Sequence, residues 1–582
     1  MRFCPTCGTY IPPNKYKCPR CDRDKTPHRK PKHSTFENKQ LDPKELTIDE
    51  VVKAFPSRKF REYQKETLTK MVEAFNTGTK CIILASPTGS GKSYLNTAFT
   101  SLTRSFYATP QLALIDQIKR DPNLDGRFVE IKGRSNYRCF YKPDRGVHVG
   151  KCETEGYACT ERFQVCPYWM QKIQAMNAPS VLTSLAYLIG EGQTEGVSET
   201  YLGSRTLMVL DESHNIEEQC LSQISLRVTP FTIPHELYSQ FLPRLRKVKE
   251  KYQVDELLDY LVQKLVETRN RIERVEAAGG LSVSMADEKS IIDRFIVNYK
   301  LYHSSTSEWV WQVRNDQLLL QPIFAKEFMQ NLLWKRASYY IISSATILYP
   351  KEFIRLSGLS DFLSEDQILF LQTPSTFPVE NRPIIDATVG LLSQSEWSKN
   401  IQPAVTAVEN ILRRERGNVA IHCHSYVHQR AIMNYISEDL KPRLIVHGSG
   451  NREEKLKEWM QSHGKVFVSV AFNEGQDWKY EVCDCQILFK VPFPDLGDVR
   501  VRRRLDSGYR TWYQNQAMLA VIQAYGRAIR AEDDKARFYI IDGSFKRLAQ
   551  ECWAFIPDWF KEALPTTFQK ITYAPQNTAA NP

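Results

Sequence analysis

Residues Ser86, Pro87, Thr88, Gly89, Ser90, Gly91, Lys92 and Ser93 combine the side-chain types that cradle a phosphate chain. Glycines let backbone amides approach the oxygens, and a helix opening at the lysine turns its positive end toward them. Lys92 reaches the β and γ oxygens, and the Ser93 hydroxyl holds magnesium. The loop follows an apolar, β-like run from Cys81 to Leu84 and precedes a helical pattern, the setting such a loop needs. Ser86 stands where the common form of the pattern has its first glycine. The competing reading is an ordinary glycine-rich turn beside a lysine.

A nucleotide site needs a further acidic ligand at the end of a neighbouring strand. Thr206 to Leu210 run straight into Asp211, Glu212, Ser213 and His214. Asp211 is expected to hold magnesium with Ser93, and Glu212 to polarise the attacking water. Taken alone, two carboxylates after a strand are better read as a solvated turn or helix cap. Beside the phosphate loop, the site reading prevails. Far downstream, Gln523, Ala524, Tyr525, Gly526, Arg527, Ala528, Ile529 and Arg530 bring two arginines three apart. That spacing predicts one helical face, from which both meet a γ-phosphate bound on a facing domain. A solvated basic face is the plainer alternative. Closure of such a site across two domains couples turnover to movement.

The cysteines form two further groups. Cys4 and Cys7, then ten residues, then Cys18 and Cys21, give paired C-x-x-C knuckles, the spacing of a small zinc ribbon or a rubredoxin-like iron site. Cys139, Cys152, Cys159 and Cys166 are separated by twelve, six and six residues. They lack knuckles, but four thiolates can hold an iron–sulfur cubane in any order; zinc on the same thiols and four unrelated buried cysteines are the alternatives. Arg134, Tyr137, Arg138, Phe140, Tyr141 and Lys142 surround the first of them. Cations that favour phosphates and rings on which bases stack suit a single nucleic-acid strand.

The elements that must position these groups follow from hydrophobic patterning. Short apolar runs at Cys81–Leu84, Thr206–Leu210, Tyr339–Ile342, Val419–His422, Val466–Val470, Gln486–Val491 and Phe538–Ile541 alternate with helical stretches, the mark of parallel sheets flanked by helices. Two sets, either side of about residue 375, predict two α/β domains. Between them, Val254, Leu257, Leu258, Leu261, Val262, Leu265, Ile272 and Val275 recur at helical spacing and predict a helical insertion. The expected organisation is a zinc ribbon over 1–24, a basic linker over 25–46, a first domain over 47–224 with a cysteine insertion at 133–170, the helical insertion over 225–335, a return to the first domain over 336–375, a second domain over 376–575 and a tail over 576–582. Cys483 and Cys485 read as packing residues. His422 and His424 are not expected to bind metal.

Composition sets outer limits. The 582 residues are 42% hydrophobic and 25% charged, which excludes both a single small module and disorder along most of the chain. No apolar run approaches the ~18 residues of a membrane span, and the start of the chain lacks a signal-peptide core, so an intracellular address, cytoplasmic or nucleoid-associated, is expected. The fourteen cysteines are too sparse for a disulfide scaffold, which directs the clustered ones to metal. Residues 1 to 40 carry ten Lys or Arg against three acids, or +7 of the net +11, and a basic arm beside a metal group suggests a polyanionic partner.

In order and spacing these motifs resemble the XPD/DinG family of superfamily-two iron–sulfur helicases. The resemblance runs through Arg61 and Gln64, the loop Ser86 to Ser93, Thr109 to Gln111, Lys132 to Cys139, the box Asp211 to His214, Ser344 to Thr346, Phe472 to Asp477 and Gln523 to Arg530. It implies an α/β fold of two RecA-like parallel-sheet domains with an iron–sulfur insertion, an arch-like insertion and, here, an added N-terminal zinc ribbon. It implies catalytic work for Lys92, Asp211, Glu212, His214, Gln523, Arg527 and Arg530. ATP contacts would come from Gly89, Ser90, Gly91, Lys92, Ser93, Gln64, Arg61 and Asp477. The implied cofactors are ATP, Mg2+, a 4Fe-4S cluster on Cys139, Cys152, Cys159 and Cys166, and Zn2+ on Cys4, Cys7, Cys18 and Cys21. The implied activity is ATP-driven 5′ to 3′ translocation on single-stranded DNA with opening of forked duplexes, by a monomeric motor. The ribbon would be a structural cap or a contact for nucleic acid or a partner protein. Two alternatives keep the same residues: an ATPase switch or adaptor that separates no strands, and a helicase directed to RNA or R-loops. No second acidic constellation suggests nuclease activity.

Overall fold

The computed structural model describes residues 2–3, 10–11, 41–154, 159–193, 201–278, 280, 282–470, 478, 482–529, 531 and 533–569. The chain divides into two units, Met1–Lys39 and Gln40–Pro582. In the first, Arg2–Phe3 pairs antiparallel with Tyr10–Ile11. Cys4, Cys7, Cys18 and Cys21, and with them the expected ribbon, lie outside the described residues, as do Asp477 and Arg530.

The larger unit is built on two parallel sheets. The first has seven strands in the spatial order Ile368–Gln372, Cys81–Ala85, Ala337–Ser344, Arg205–Leu210, Ser105–Thr109, Ser180–Ser184 and Val129–Glu130. All of its pairings are parallel. Its central strands are buried on both faces, which explains why they read as unbroken apolar runs. Alternation sends Cys81, Ile83, Phe106, Met208, Leu210 and Ile342 into one core layer and Ile82, Leu84, Tyr107, Leu207, Val209 and Ile341 into the other. Each such aliphatic side chain contributes roughly 1.5–3 kcal/mol on burial, so the strands that carry the phosphate loop and the acidic box are among the best anchored parts of the chain.

The second sheet has six parallel strands in the order Ile384–Gly390, Arg537–Asp542, Cys485–Leu488, Val419–His422, Val466–Ser469 and Leu444–Val446. Cys483 and Cys485 are fully buried, in keeping with packing.

The insertion between the two α/β parts differs from a purely helical one. Leu226–Val228, Gln317–Pro322 and Trp309–Arg314 make a three-stranded antiparallel sheet at its base, and from it rise the helices His235–Leu245, Lys251–Ala277 and Val283–Ser304. The hairpin turns through Asn315 and Asp316, both at positive φ, a conformation that favours Asn and Asp and matches strand twist. Alternating polar residues over 309–321 hid this ribbon behind the stronger helical signal. Val254, Leu257, Leu258, Leu261, Leu265 and Ile272 are buried as the helical spacing requires, whereas Val275 is exposed.

Candidate functional site

Strand order explains why distant motifs meet. Cys81–Ala85, Ala337–Ser344 and Arg205–Leu210 are neighbours in register, Ala85 beside Ser344 and Leu210 beside Ile342. Their carboxyl ends therefore deliver the phosphate loop, Ser344–Thr346 and the Asp211–His214 box to one edge, about 5 Å apart from strand to strand. Ligands of open parallel sheets bind at such edges. The helix Lys92–Thr100 starts at the loop's lysine, after Gly91 at φ 85°. A Cβ on Gly91 would collide with the Gln64 amide, so the position requires glycine.

A cleft of about 430 Å³ opens there. Its walls include Gly89, Gly91, Lys92, Ser93, Asp211, Glu212, His214 and Thr346 from the first α/β part, and Gln523, Gly526, Arg527 and Trp559 from the second. The two parts touch directly where Thr88 Oγ1 donates to the Gly526 carbonyl at 3.2 Å. Lys92 is buried. Its Nζ donates to the carbonyls of Ser86 at 3.1 Å and Pro87 at 3.5 Å and lies 3.5 Å from Glu212 Oε1. Asp211 is buried too: Tyr107 donates to it at 2.7 Å, Ser343 at 2.9 Å and the Glu212 amide at 3.0 Å. Burial first, and the neighbouring Glu212 charge second, push its carboxyl above the usual range, while Lys92 and the two hydroxyls pull the other way. Such a carboxylate gains from a cation beside it. Glu212 sits in the left-handed region at φ 50°, a costly conformation for a non-glycine residue and one that collects at working sites. His214 Nδ1 is 2.9 Å from Ser344 Oγ and 3.6 Å from Glu212 Oε2.

Arg61 and Gln64 brace the loop. Arg61 Nη1 donates to the Gly89 carbonyl. Gln64 Nε2 donates to the Ser90 carbonyl at 2.8 Å while its Oε1 accepts from the Arg61 amide at 2.8 Å.

Arg527 does not lie on a helical face. The helix Arg510–Tyr525 ends before it, so Arg527 leaves from the turn that begins at Gly526. It is buried against the Trp478 ring, 5.3 Å from the centroid. His422 stacks on the same tryptophan, and its Nε2 lies 2.9 Å from Gln486 Oε1, whose amide donates to the Tyr525 carbonyl at 3.2 Å. Burial, with Arg527 as second cause, pushes the His422 imidazole down to about 3, so it is neutral and Nε2 carries the proton. The patterning exposed none of these supports. Tyr107, Ser343 and Gln486 lie inside strands and Trp478 and Trp559 outside them, and nothing in their local sequence marks them as neighbours of the site.

In the cysteine insertion, Cys139 and Cys166 are buried and Cys152 and Cys159 partly so. Burial, and then the nearby Cys166 and Cys139 thiols, raise the Cys159 thiol, which puts three of the four within electrostatic reach of one another. A Cβ on Gly150 would stand 3.0 Å from the Cys139 sulfur, so the glycine clears space for it. Among the described residues, no group of three or more His, Cys, Asp or Glu side chains converges closely enough to hold a metal ion. Four thiols are a donor set that suits a thiolate-bound group, but among the described residues no three of them converge on one point. Exposed Phe140 and Phe163 flank the cysteines. Phe163 and Trp169 meet edge to face at 5.9 Å, and Arg162 lies over both rings. Among the described residues, no helix is long and apolar enough to cross a membrane.

Comparison with known proteins agrees with this layout. The family model described as Helicase C-terminal domain matches residues 408–563, and the DEAD_2 model matches residues 153–233. The chain is 26% identical over 244 residues to the ATP-dependent DNA helicase DinG of Photobacterium profundum, a match covering 38% of this chain and 34% of that protein. It is 32% identical over 126 residues to the Regulator of telomere elongation helicase 1 homolog of Drosophila melanogaster, covering 19% of this chain and 13% of that protein. The chain thus spans about a third or less of the length of these curated relatives. A solved XPD helicase superposes with a TM-score of 0.60 at 15% identity, over 86% of this chain and 98% of its own, a likeness of fold. These matches liken parts of the chain to helicase family models and to the DinG helicase, and its fold of two RecA-like parallel-sheet domains to that of a solved XPD helicase.

Proposed function

We propose that this protein is an ATP-dependent DNA helicase that moves along single-stranded DNA, 5′ to 3′, and separates duplex strands. The observation that carries the reading is one cleft walled by Lys92, Asp211 and Glu212 from one sheet and by Gln523 and Arg527 from the other. In this scheme the β and γ oxygens of ATP take Lys92 from the Ser86 and Pro87 carbonyls. Ser93 and Asp211 would hold magnesium, which when bound offsets phosphate charge. Glu212 accepts a proton from water as its oxygen attacks the γ-phosphorus, and the bond to the β–γ bridging oxygen breaks, leaving ADP and phosphate. Arg527, delivered by the second domain, stabilises the spreading charge; Arg530 is proposed to assist. His214 and Gln523 orient groups at the seam, and Asp477 contributes to nucleotide binding. Because loop and arginine belong to different domains, each turnover changes the gap between them, and a strand gripped by both is stepped along.

Cys139, Cys152, Cys159 and Cys166 would hold a four-iron, four-sulfur cluster, which when bound clamps the insertion into a rigid unit. The flanking Phe140, Phe163, Trp169 and Arg162 would meet bases and phosphates of the strand beside it. Cys4, Cys7, Cys18 and Cys21 would hold zinc and fold the short N-terminal unit. The test is a forked duplex with a 5′ tail. It should open with ATP and stay closed with a non-hydrolysable analogue, and Glu212→Gln should bind ATP yet hydrolyse it slowly. ATP hydrolysis stimulated by single strands without fork opening would instead favour the switch or adaptor reading.

A further inference from the structure

The helix Ile216–Ile224 begins two residues after His214 and carries Glu217 and Glu218 in its first turn. The helix Val499–Asp506, from the second α/β part, turns two arginines into it. Arg504 is fully buried. Its Nη1 donates to Glu217 Oε2 at 3.0 Å and its Nη2 to Glu217 Oε1. Its Nε and Nη2 also donate to the Ile323 carbonyl at 3.0 and 2.7 Å. Arg500 donates to Glu218 at 2.8 Å and to the same Ile323 carbonyl at 3.0 Å. The Ala325 amide donates to Glu217 at 3.3 Å, and Arg504 stacks over Trp512 and Phe324.

One buried joint therefore ties three parts together: the helix that leaves the acidic box, the end of the insertion's hairpin at Ile323–Ala325, and the second domain. The seam continues outward through exposed pairs. Arg503 donates to Glu308 at 2.7 Å, Arg314 to Asp495 at 3.2 Å and the Gln312 amide to the Gly497 carbonyl at 3.0 Å. Apolar side chains of equal volume could glue such a seam at least as well, because buried charges give back in desolvation much of what they gain in attraction. What the guanidinium forks add is direction and register: they fix the angle of Ile216–Ile224 against the second domain.

We propose that Arg500, Arg504, Glu217 and Glu218 are positioning residues that pass the placement of the second domain and the insertion to the Asp211–His214 box, so that a bound strand sets the rate of ATP hydrolysis. This rests on the proposed helicase function. The readout is the ratio of ATP hydrolysis with saturating single-stranded DNA to hydrolysis without it, measured alongside thermal unfolding. Arg504→Met alone strands the Glu217 charge and should lower both stability and the ratio. Arg504→Met with Glu217→Met removes both charges. It should recover most of the lost unfolding temperature and keep DNA-free hydrolysis within about twofold, while the stimulation ratio falls about tenfold, the scale of an ordinary coupling between sites. A wild-type ratio in that double variant would overturn the proposal. Should it not fold, Arg314→Ala with Arg503→Ala, at the exposed end of the seam, should raise the ATP spent per base pair opened about threefold; unchanged consumption would overturn the proposal equally. A wild-type protein whose hydrolysis ignores DNA would sink the functional reading and this inference together, which separates that failure from failure of the joint alone.

Discussion

The nucleotide cleft and the cysteine insertion achieve order by opposite means. In the cleft, the key polar side chains have protein partners: Asp211 has Tyr107 and Ser343, Lys92 has two carbonyls and Glu212, and the loop itself is tied down by Arg61 and Gln64. Of the strands beneath, Cys81–Ala85 is fully buried and Arg205–Leu210 is buried except at Thr206. In the insertion, backbone turns such as the Cys139 amide to the Arg145 carbonyl, and Cys166 to Arg162, bring thiols near one another without aligning them. Short 3-10 and α-helical turns do the work that a sheet does elsewhere. A scaffold of parallel strands fixes side chains before any ligand arrives, whereas under the proposed function the loop-built module would gain its final arrangement from the cluster.

Breaking the pre-ordered region should be severe and specific. Lys92→Ala should lower ATP hydrolysis by about a thousandfold or more while leaving single-strand binding largely intact, since the phosphate charge loses its cation but the fold keeps its core. Steady-state hydrolysis and fluorescence anisotropy would show it; near wild-type turnover would remove the loop from the site. Breaking the cysteine insertion should instead separate activities. Anaerobically purified protein should be brown with about four irons in the central module. Cys139→Ser should lose the iron and fork opening while retaining DNA-free ATP hydrolysis. Colourless wild-type protein with zinc on these thiols, or equal loss of both activities in the variant, would contradict the contrast drawn here.

Smaller changes sharpen it. Tyr107→Phe removes the hydrogen bond to the buried Asp211 carboxylate and the acceptor 3.5 Å from the Asn96 amide, so turnover should fall about tenfold with ATP affinity nearly unchanged. An unchanged rate would mean that Ser343 and the Glu212 amide suffice. The mildest effect concerns His422. Its folded-state pKa of about 3 lies below the ~6.5 of an unfolded histidine, so the unfolded chain binds the proton more readily and this contribution to stability is present above about pH 6.5 and lost as pH falls toward 3. His422→Gln, which cannot titrate, should give a flatter dependence of unfolding temperature on pH between 6.5 and 4. Parallel curves for the two proteins would refute the buried neutral assignment.

How much of this was readable in the chain follows from the same contrast. The loop at 86–93 and the box at 211–214 announce themselves because a phosphate site needs fixed residue types at fixed local spacing, and continuous apolar runs such as Cys81–Leu84 mark strands buried on both faces. The two-sheet plan followed from them. The spacing of Arg527 and Arg530 predicts a helical face, but Arg527 stands in the turn after Tyr525, because spacing alone does not show where the helix Arg510–Tyr525 ends. The three-stranded ribbon of the insertion was missed, since Trp309–Arg314 and Gln317–Pro322 are short, half-polar strands, and the second of them pairs with a partner some ninety residues away at Leu226–Val228. The Arg504–Glu217 joint was equally hidden: its members are ordinary helix-surface types, 287 residues apart, until the fold buries them together.

The most direct measurement uses matched forks that differ only in the polarity of the single-stranded tail, at one salt concentration, with ATP, for the wild-type protein and Lys92→Ala. The proposed function predicts that wild-type protein opens the 5′-tailed fork, leaves the 3′-tailed fork almost untouched, and loses even the first activity with Lys92→Ala. Preference for the 3′ tail would contradict the direction of movement, and no opening of either fork by a protein that hydrolyses ATP on single strands would contradict strand separation itself.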